Sequence, residues 1–362
     1  MATIQDVARL ANVSVSSVSN VLNGRTERLN PATFERVQEA IRALGFRPSQ
    51  VARQLKTGRT PMLGLLVPST ANPMYGQLAL KIEAEAQRQI GYRVLLGNTN
   101  RDREQESRML DDLLSFGVHG VIIVSSLTDE HHFLAATRQG LAMVSYDGGV
   151  DANMPACIDH VAPDNFQAGH LAASHLIELG HRRIAFVMPA GRTVSRASKI
   201  AGFQAAVKEA GLGDAAVIEC PPTAHYGDAE LAELGQVLAG QLAQASTRPT
   251  GLIAVNDMMA IGLMSGLHQA GLSVPDDVSV IGMDDIGMCS YTNPALTSVA
   301  MPFGEMAQAM VRRVMLRLAQ PDEAPIRLCF PSGLVVRQST AKPPAANRLA
   351  GASAPMQGVR HA

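Results

Sequence analysis

TIQDVARLANVSVSSVSNVLNGRTERLNPATFERVQEAIRALGFRPSQVARQLKT, residues Thr3 to Thr57, spells out three short helices and a linker. Asp6-Val7-Ala8 opens a short amphipathic helix, Ala11-Asn12-Val13 makes a tight turn, and Ser14 caps a second helix through Val15, Val18 and Val21. Ala8 is small where the two helices must touch, Asn12 sits where the turn needs a left-handed residue, and Val18 faces back into the pair. This is the grammar of a helix-turn-helix. A third helix starts at an Asn30 cap with Pro31 behind it, carries Phe34, Val37, Ile41 and Leu44 at helical spacing, and stops at Gly45. Three such helices can share one small core.

Charge separates this head from the rest of the chain. Residues 1–60 hold nine Lys and Arg against four acids, net +5, whereas the whole chain is −1 and the remaining 302 residues are therefore −6. A basic head on an acidic body is expected when only the head meets phosphate. The competing reading is a three-helix interaction domain with ordinary solvated charges.

The body is long enough for two cores at about 100 to 200 residues per domain. Short apolar runs at Met62-Val67, Val94-Gly97, Val121-Val124, Ile184-Val187, Leu252-Val255 and Val278-Gly282 read as buried parallel strands, each followed by a helical stretch. Repeated strand-helix units imply an α/β class with doubly wound parallel sheets in two lobes. Ligands of such sheets sit at the carboxyl ends of the strands. Cys157, Cys220, Cys289 and Cys329 are widely spaced, form no CxxC pair, and are expected as buried small apolar residues with no metal or redox centre. No GxSxG, GxxxxGK or HExxH motif occurs, and Gly211-Leu212-Gly213 precedes a strand, so neither an enzyme nor a bound cofactor is expected. A polar start without a basic-then-apolar leader, and no apolar run of about 18 residues, point to a cytoplasmic protein with no membrane partner.

The stretch Thr3 to Gly24, followed by RVQEAIRALGFRPSQVARQLKTG, resembles the headpiece and hinge of the lactose-repressor (LacI/GalR) family of bacterial transcription regulators. GLLVPSTANPMY, YRVLLGNTNRD, GVHGVIIVSS, HLIELGHRRIAFV, GLIAVNDMMAIG, VPDDVSVIGMDD and PALTSVAMP follow in that family's order to about residue 340. The resemblance implies a headpiece at 1–47, a hinge helix and linker at 48–60, and a core at 61–340 of the periplasmic-binding-protein type 1 architecture. It places crossovers near 161, 292 and 325, giving an N-lobe of about 61–161 and 293–324 and a C-lobe of about 162–292 and 325–340. The Ala- and Pro-rich segment 341–362 has no heptads, so a disordered tail and a homodimer are expected, not a tetramer.

A recognition helix presents its amino-terminal side chains to base edges, here Val15, Ser16 and Asn20. Val15 suits a thymine methyl, Ser16 either a donor or an acceptor, and Asn20 an adenine. The family often has Arg or His where this chain has Asn20, which leaves the operator sequence open. Thr3, Ser14, Ser17, Ser19 and Asn23 belong to the same DNA-facing set, the serines and Asn23 as caps or phosphate contacts, with Arg25 and Lys56 adding salt-dependent attraction. SQVARQLK is too short to be a stable helix alone. In the family this segment pairs in the minor groove of a palindromic operator, where Leu55 matches the wedge and Ala52 the close-packing residue.

Positions matching the family's ligand contacts are Tyr75, Ser126, Asp147, Asn256 and Asp284, with Asp257 expected to cap the next helix instead. The family's usual Arg in Arg-x-x-Gly-Phe is Lys199 here, a point charge and not a planar fork, and Arg196 lies three residues earlier on the same helical face. A sugar or sugar derivative is the effector class that the resemblance implies. The function expected is ligand-modulated operator binding, most simply repression. Its rival is a solute sensor whose head no longer binds DNA.

Overall fold

The computed structural model describes residues 2–22, 29–46, 60–125, 132–146, 158–191, 193–213, 215–220, 230–245 and 247–345. The chain divides into two units, Met1–Thr60 and Pro61–Ala362.

The first unit contains α1 (Ile4–Leu10), α2 (Val15–Leu22) and α3 (Pro31–Ala43). Helix α1 begins two residues before the expected Asp6, because Thr3 and Asp6 form a capping box: Thr3 Oγ1 accepts from the Asp6 amide, and the Asp6 carboxylate accepts from the Thr3 amide and hydroxyl. Asn12 takes φ 53° in the turn and Gly45 φ 56° after α3. Ser14 Oγ accepts from Ser17 N at 3.1 Å, and Asn30 Oδ1 from Ala32 N at 3.0 Å. Val7, Ala8, Ala11, Val18, Val37 and Ala40 close into one small core, with Ile41 and Leu44 packed against it. Each fully buried valine there contributes about 1.5–3 kcal/mol.

The second unit holds two six-stranded sheets. The first has the order β2-β1-β3-β4-β5-β11, from β1 (Met62–Val67), β2 (Arg93–Asn98), β3 (Gly120–Val124), β4 (Ala142–Tyr146), β5 (Asp159–Pro163) and β11 (Arg327–Phe330), all parallel. The second has the order β7-β6-β8-β9-β10-β12, from β6 (Ile184–Pro189), β7 (Ala216–Cys220), β8 (Gly251–Ala254), β9 (Ser279–Asp284), β10 (Thr297–Ala300) and β12 (Gly333–Val335). Only β12 runs antiparallel to its neighbour among these. Helices α4 (Pro73–Ile90), α5 (Arg103–Ser115), α6 (Phe133–Arg138) and α11 (Phe303–Ala319) accompany the first sheet. Helices α7 (Asn165–Glu178), α8 (Val194–Glu209), α9 (Glu230–Gln244) and α10 (Asp257–Gln269) accompany the second. Strands β1, β3, β4, β6, β8 and β9 are buried on both faces almost throughout, which is why they read as unbroken apolar runs.

The strands put the crossovers later than 161, 292 and 325. The chain changes sheet after β5 at Pro163, after β10 at Ala300 and after β11 at Phe330. The largest shift is at β10, which pairs with β9 through Thr297↔Ile281 to Ala300↔Asp284 and so belongs to the second lobe. Ala341, placed in the tail by the sequence, is tied to the core: its N–H donates to Ser279 Oγ at 3.0 Å, and its carbonyl lies 2.9 Å from His181 Nε2. Cys220 and Cys289 are buried as expected, but Cys329 is exposed because its edge strand alternates faces; Cys157 lies outside the described residues.

Candidate functional site

On the head, α2 leaves Val15 42% exposed and Ser16 exposed, with Asn20 half-buried further along the helix. Ser14, Ser16 and Ser17 form a hydroxyl cluster at its start, with Ser14 Oγ 2.7 Å from Ser16 Oγ and 2.9 Å from Ser17 Oγ. These hydroxyls hold one another at the start of α2, and a serine that accepts from Ser14 keeps its own O–H to donate to a phosphate. Thr3 is occupied in the capping box, where its hydroxyl and amide hold the Asp6 carboxyl below the usual carboxylate range. Ser19 is half-buried on the same helix. Asn23, Arg25, Ala52, Leu55 and Lys56 lie outside the described residues, as do Ser126 and Asp147.

In the second unit the sheet orders reverse direction between β1 and β3 and between β6 and β8. In open α/β sheets such switch points are where loops part to opposite sides and ligands bind, outside the carboxyl ends of the strands. Tyr75, Asn256 and Asp284, expected as ligand contacts, lie on segments that follow the strands β1, β8 and β9 at those ends. Tyr75 lies in the first turn of α4, held by the Asn72 cap and Pro73, is 6% exposed, and receives a hydrogen bond from Arg101 Nη2 at 3.4 Å. Arg101 was not singled out by sequence. Its signal is the NTNRD run at the carboxyl end of β2, where Asn100 and Arg101 adopt φ 52° and 56°.

Lys199 and Arg196 both lie on α8 and are about nine-tenths buried. Lys199 Nζ donates to Val255 O at 3.2 Å, which brings the ammonium beside Asn256 at the end of β8. Arg196 is turned to its own loop, with Nη1 donating to Gly191 O at 3.2 Å and Pro189 O at 3.5 Å. The two cations therefore bind different carbonyls. Helix α8 is placed by backbone contact with α7: a Cβ on Gly169 would overlap Lys199 O, and one on Gly202 would overlap Phe166 O.

The helix cap expected at Asp257 is made by Asn256 instead. Asn256 is the cap of α10, its Oδ1 accepting from Met259 N at 3.0 Å, while its amide nitrogen is left for other partners. Asp257 is buried and bonds across the lobe to Ile286 N at 2.8 Å and Ser298 Oγ at 2.6 Å. Asp284 ends β9 at φ 103°, 6% exposed, and Asp285 follows at φ 51°, paired with Arg337 at 2.7 Å. Just beyond, a Cβ on Gly287 would lie 3.6 Å from Gln77 Nε2, so the Asp284 turn of one lobe approaches the helix that carries Tyr75 in the other. Among the described residues no group of His, Cys, Asp or Glu could hold a metal ion, and no helix is long and apolar enough to cross a membrane.

A basic helix-turn-helix in one chain with a two-lobed, cleft-bearing α/β core defines a DNA-binding regulator with a small-molecule sensor. Comparison with known proteins agrees. Residues 3–49 match the model for bacterial regulatory proteins of the lacI family, and residues 173–340 that for a periplasmic binding protein-like domain. The chain is 34% identical over 324 residues to the HTH-type transcriptional repressor PurR of Aliivibrio fischeri, covering 89% of this chain and 93% of that one. It superposes on the lac repressor dimer bound to operator and an anti-inducer with a TM-score of 0.80 at 26% identity, covering 94% and 99% of the chains. A regulator of Enterococcus faecium with bound ribose gives 0.68 at 28% identity, covering 78% and 99%. The chain belongs to the LacI family of bacterial transcription regulators.

Proposed function

We propose that this protein is a homodimeric cytoplasmic repressor that binds a palindromic operator through α2 and changes operator affinity when a small sugar or sugar derivative enters the cleft. What supports the reading is that Tyr75 lies on the helix following β1, while the Lys199 ammonium, Asn256 and Asp284 lie at the carboxyl ends of β8 and β9, in a chain that also bears the basic head. A phenol, an ammonium, an amide and a carboxylate supply donors and acceptors for vicinal hydroxyls, and similarity to a ribose-bound regulator supports a small sugar. Ser126, Asp147 and Arg196 complete the proposed ligand set, with Arg196 acting through the 189–191 loop. On the head, Val15, Ser16 and Asn20 read bases, while Thr3, Ser14, Ser17, Ser19, Asn23, Arg25 and Lys56 position the duplex and Ala52 and Leu55 occupy the minor groove. Ligand binding between the lobes alters their relative setting, and with it whether two heads fit one operator. Full reversal of occupancy, from about 1:99 to 99:1, needs about 5.5 kcal/mol of preference for one state.

The test is selection of genomic fragments by the full chain at about 0.15 M salt, with and without ribose, other sugars, sugar acids and purines. A recovered palindrome whose binding one compound changes is the expected result. Sequence-independent, salt-sensitive binding that no compound alters overturns the proposal.

A further inference from the structure

We infer that the buried Asp257 carboxylate is a positioning residue of the effector cleft, holding the left-handed turn that presents Asp284 to ligand and Gly287 to the opposite lobe. This rests on the cleft being the effector site. The carboxylate lies at the start of α10 with no exposed surface. Its Oδ2 accepts the Ile286 N–H at 2.8 Å, and its Oδ1 accepts the Ser298 hydroxyl at 2.6 Å. Ser298 Oγ in turn accepts the Asp285 N–H at 3.1 Å. Directly or through one hydroxyl, Asp257 therefore collects the amides of both residues that follow Asp284.

That turn needs holding. Asp284 and Asp285 are consecutive non-glycine residues at φ 103° and 51°. Backbone of this kind persists only where surrounding contacts over-determine it, and such sites cluster at ligand clamps. Gly282, opposite in β9, makes room: any Cβ there would overlap Asp257 Oδ1. Downstream, the 3-10 turn Gly287–Ser290 carries Gly287 to within reach of Gln77 on α4. Upstream of the lobe crossover, Ser298 sits in β10, which leaves the lobe at Ala300. One carboxylate thus ties a ligand-facing turn, an interlobe contact and a crossover strand.

A structural tie alone would have no reason to titrate with ligand affinity. Burial pushes the Asp257 carboxyl up to about 7, against the hydrogen bonds from Ser298, Ile286 and Cys289 that favour its charge, and the Asp285 charge raises it further. The charged and titratable groups facing it are the Cys289 thiol, the Asp285 carboxylate and the Arg337 guanidinium beyond Asp285. Only the ionised form accepts from both Ile286 and Ser298 with full charge assistance. Ligand affinity therefore strengthens as pH rises through about 7.

The experiment compares full-length wild type, Asp257→Asn and Ser298→Ala, with ribose as the probe. Ligand-free hydrogen exchange across residues 284–290 is followed by mass spectrometry, and ribose binding by calorimetry at several pH values. Both variants are expected to lose protection in that segment while the rest of the lobe keeps it. Ribose is expected to bind roughly 10- to 100-fold more weakly to Asp257→Asn, the size of one lost charged hydrogen bond, and without the wild-type pH dependence. Unchanged local protection, or unchanged affinity and pH profile in both variants, overturns the inference. If wild type itself binds no ribose, the ribose reading fails, and the exchange comparison alone decides the clamp: local loss supports it and unchanged protection overturns it. Should Asp257→Asn fail to fold, Ser298→Ala retains the carboxylate and removes only the relay to Asp285.

Discussion

Asn20 projects from α2 half-buried, with an amide that can donate and accept at once. That chemistry matches the N6 and N7 edge of adenine, and a good bidentate pair is worth about 1–3 kcal/mol of discrimination. Asn20→Ala is expected to weaken the selected operator by that amount while leaving binding to random duplex unchanged, as gel-shift titrations of both DNAs would reveal. Asp257 makes a second prediction, for folding and not ligand binding. Its folded pKa, about 7, stands above the ordinary aspartate value of 3.8, so the folded state holds a proton that the unfolded chain releases across that window. Its contribution to stability is therefore fully present below about pH 4 and falls as pH rises to about 7. Asp257→Asn should remove this downward component, read as the pH dependence of the urea-unfolding difference between variant and wild type. The neighbouring Asn256 shows where sequence runs out. In VNDMM both residues are competent caps, and only the distant Ile286 and Ser298 draw the aspartate inward and leave the amide to cap.

Elements differ in how much of themselves they write into the chain. Met62–Val67 was legible to the residue because both faces of β1 are buried and the run is continuous. Strands β11 and β12 were missed, since at four and three half-exposed residues they are too short to carry a periodic signal. The segment of strand β10 was placed in the wrong lobe, because its partners β9 and β12 are set by tertiary pairing that the sequence does not display. The contact of α7 and α8 is another feature with faint sequence signal, two glycines 33 positions apart, Gly169 and Gly202. Gly202→Ala would drive a methyl into backbone, which side-chain rotation cannot relieve. A loss of about 1–3 kcal/mol or more is expected in urea unfolding, with weaker ligand binding because Lys199 moves with its helix. Helix α11 is anchored differently. Asp159 accepts from Arg313 Nε and Arg317 Nη2, both at 2.8 Å, and from Ile326 N at 2.9 Å. Burial raises its pKa, but these bonds outweigh it and hold the carboxyl below 3.8. The cluster's stability is present above that value and is lost as pH falls through the lower folded pKa. Arg317→Met strands part of a buried charge set and should cost about 3–5 kcal/mol, measured by the denaturation midpoint at neutral pH.

At the scale of the whole molecule, the head of net +5 and the remainder of −6 divide the labour between phosphate and ligand. Two heads on one palindrome also require two chains. Tyr291 is 89% and Met288 48% exposed, at the end of and in the 3-10 turn after β9. They adjoin a cleft of about 460 Å³ lined by Ile261, Met264, His268, Thr292 and Pro294. An exposed tyrosine next in the chain to the lining residue Thr292 is tested as an isologous contact, in which each chain fills the other's groove about a two-fold axis. Tyr291→Asp would place a charge in that contact without touching Tyr75, Lys199, Asn256 or Asp284. Sedimentation equilibrium is expected to shift from dimer toward monomer. Operator affinity should fall because the second head is no longer held near its half-site, whereas affinity for ligand per chain should stay within about twofold. A variant that remains dimeric at nanomolar concentration would instead place the dimer contact elsewhere on the core, for the exposed Leu80 on α4 is the next large apolar side chain available.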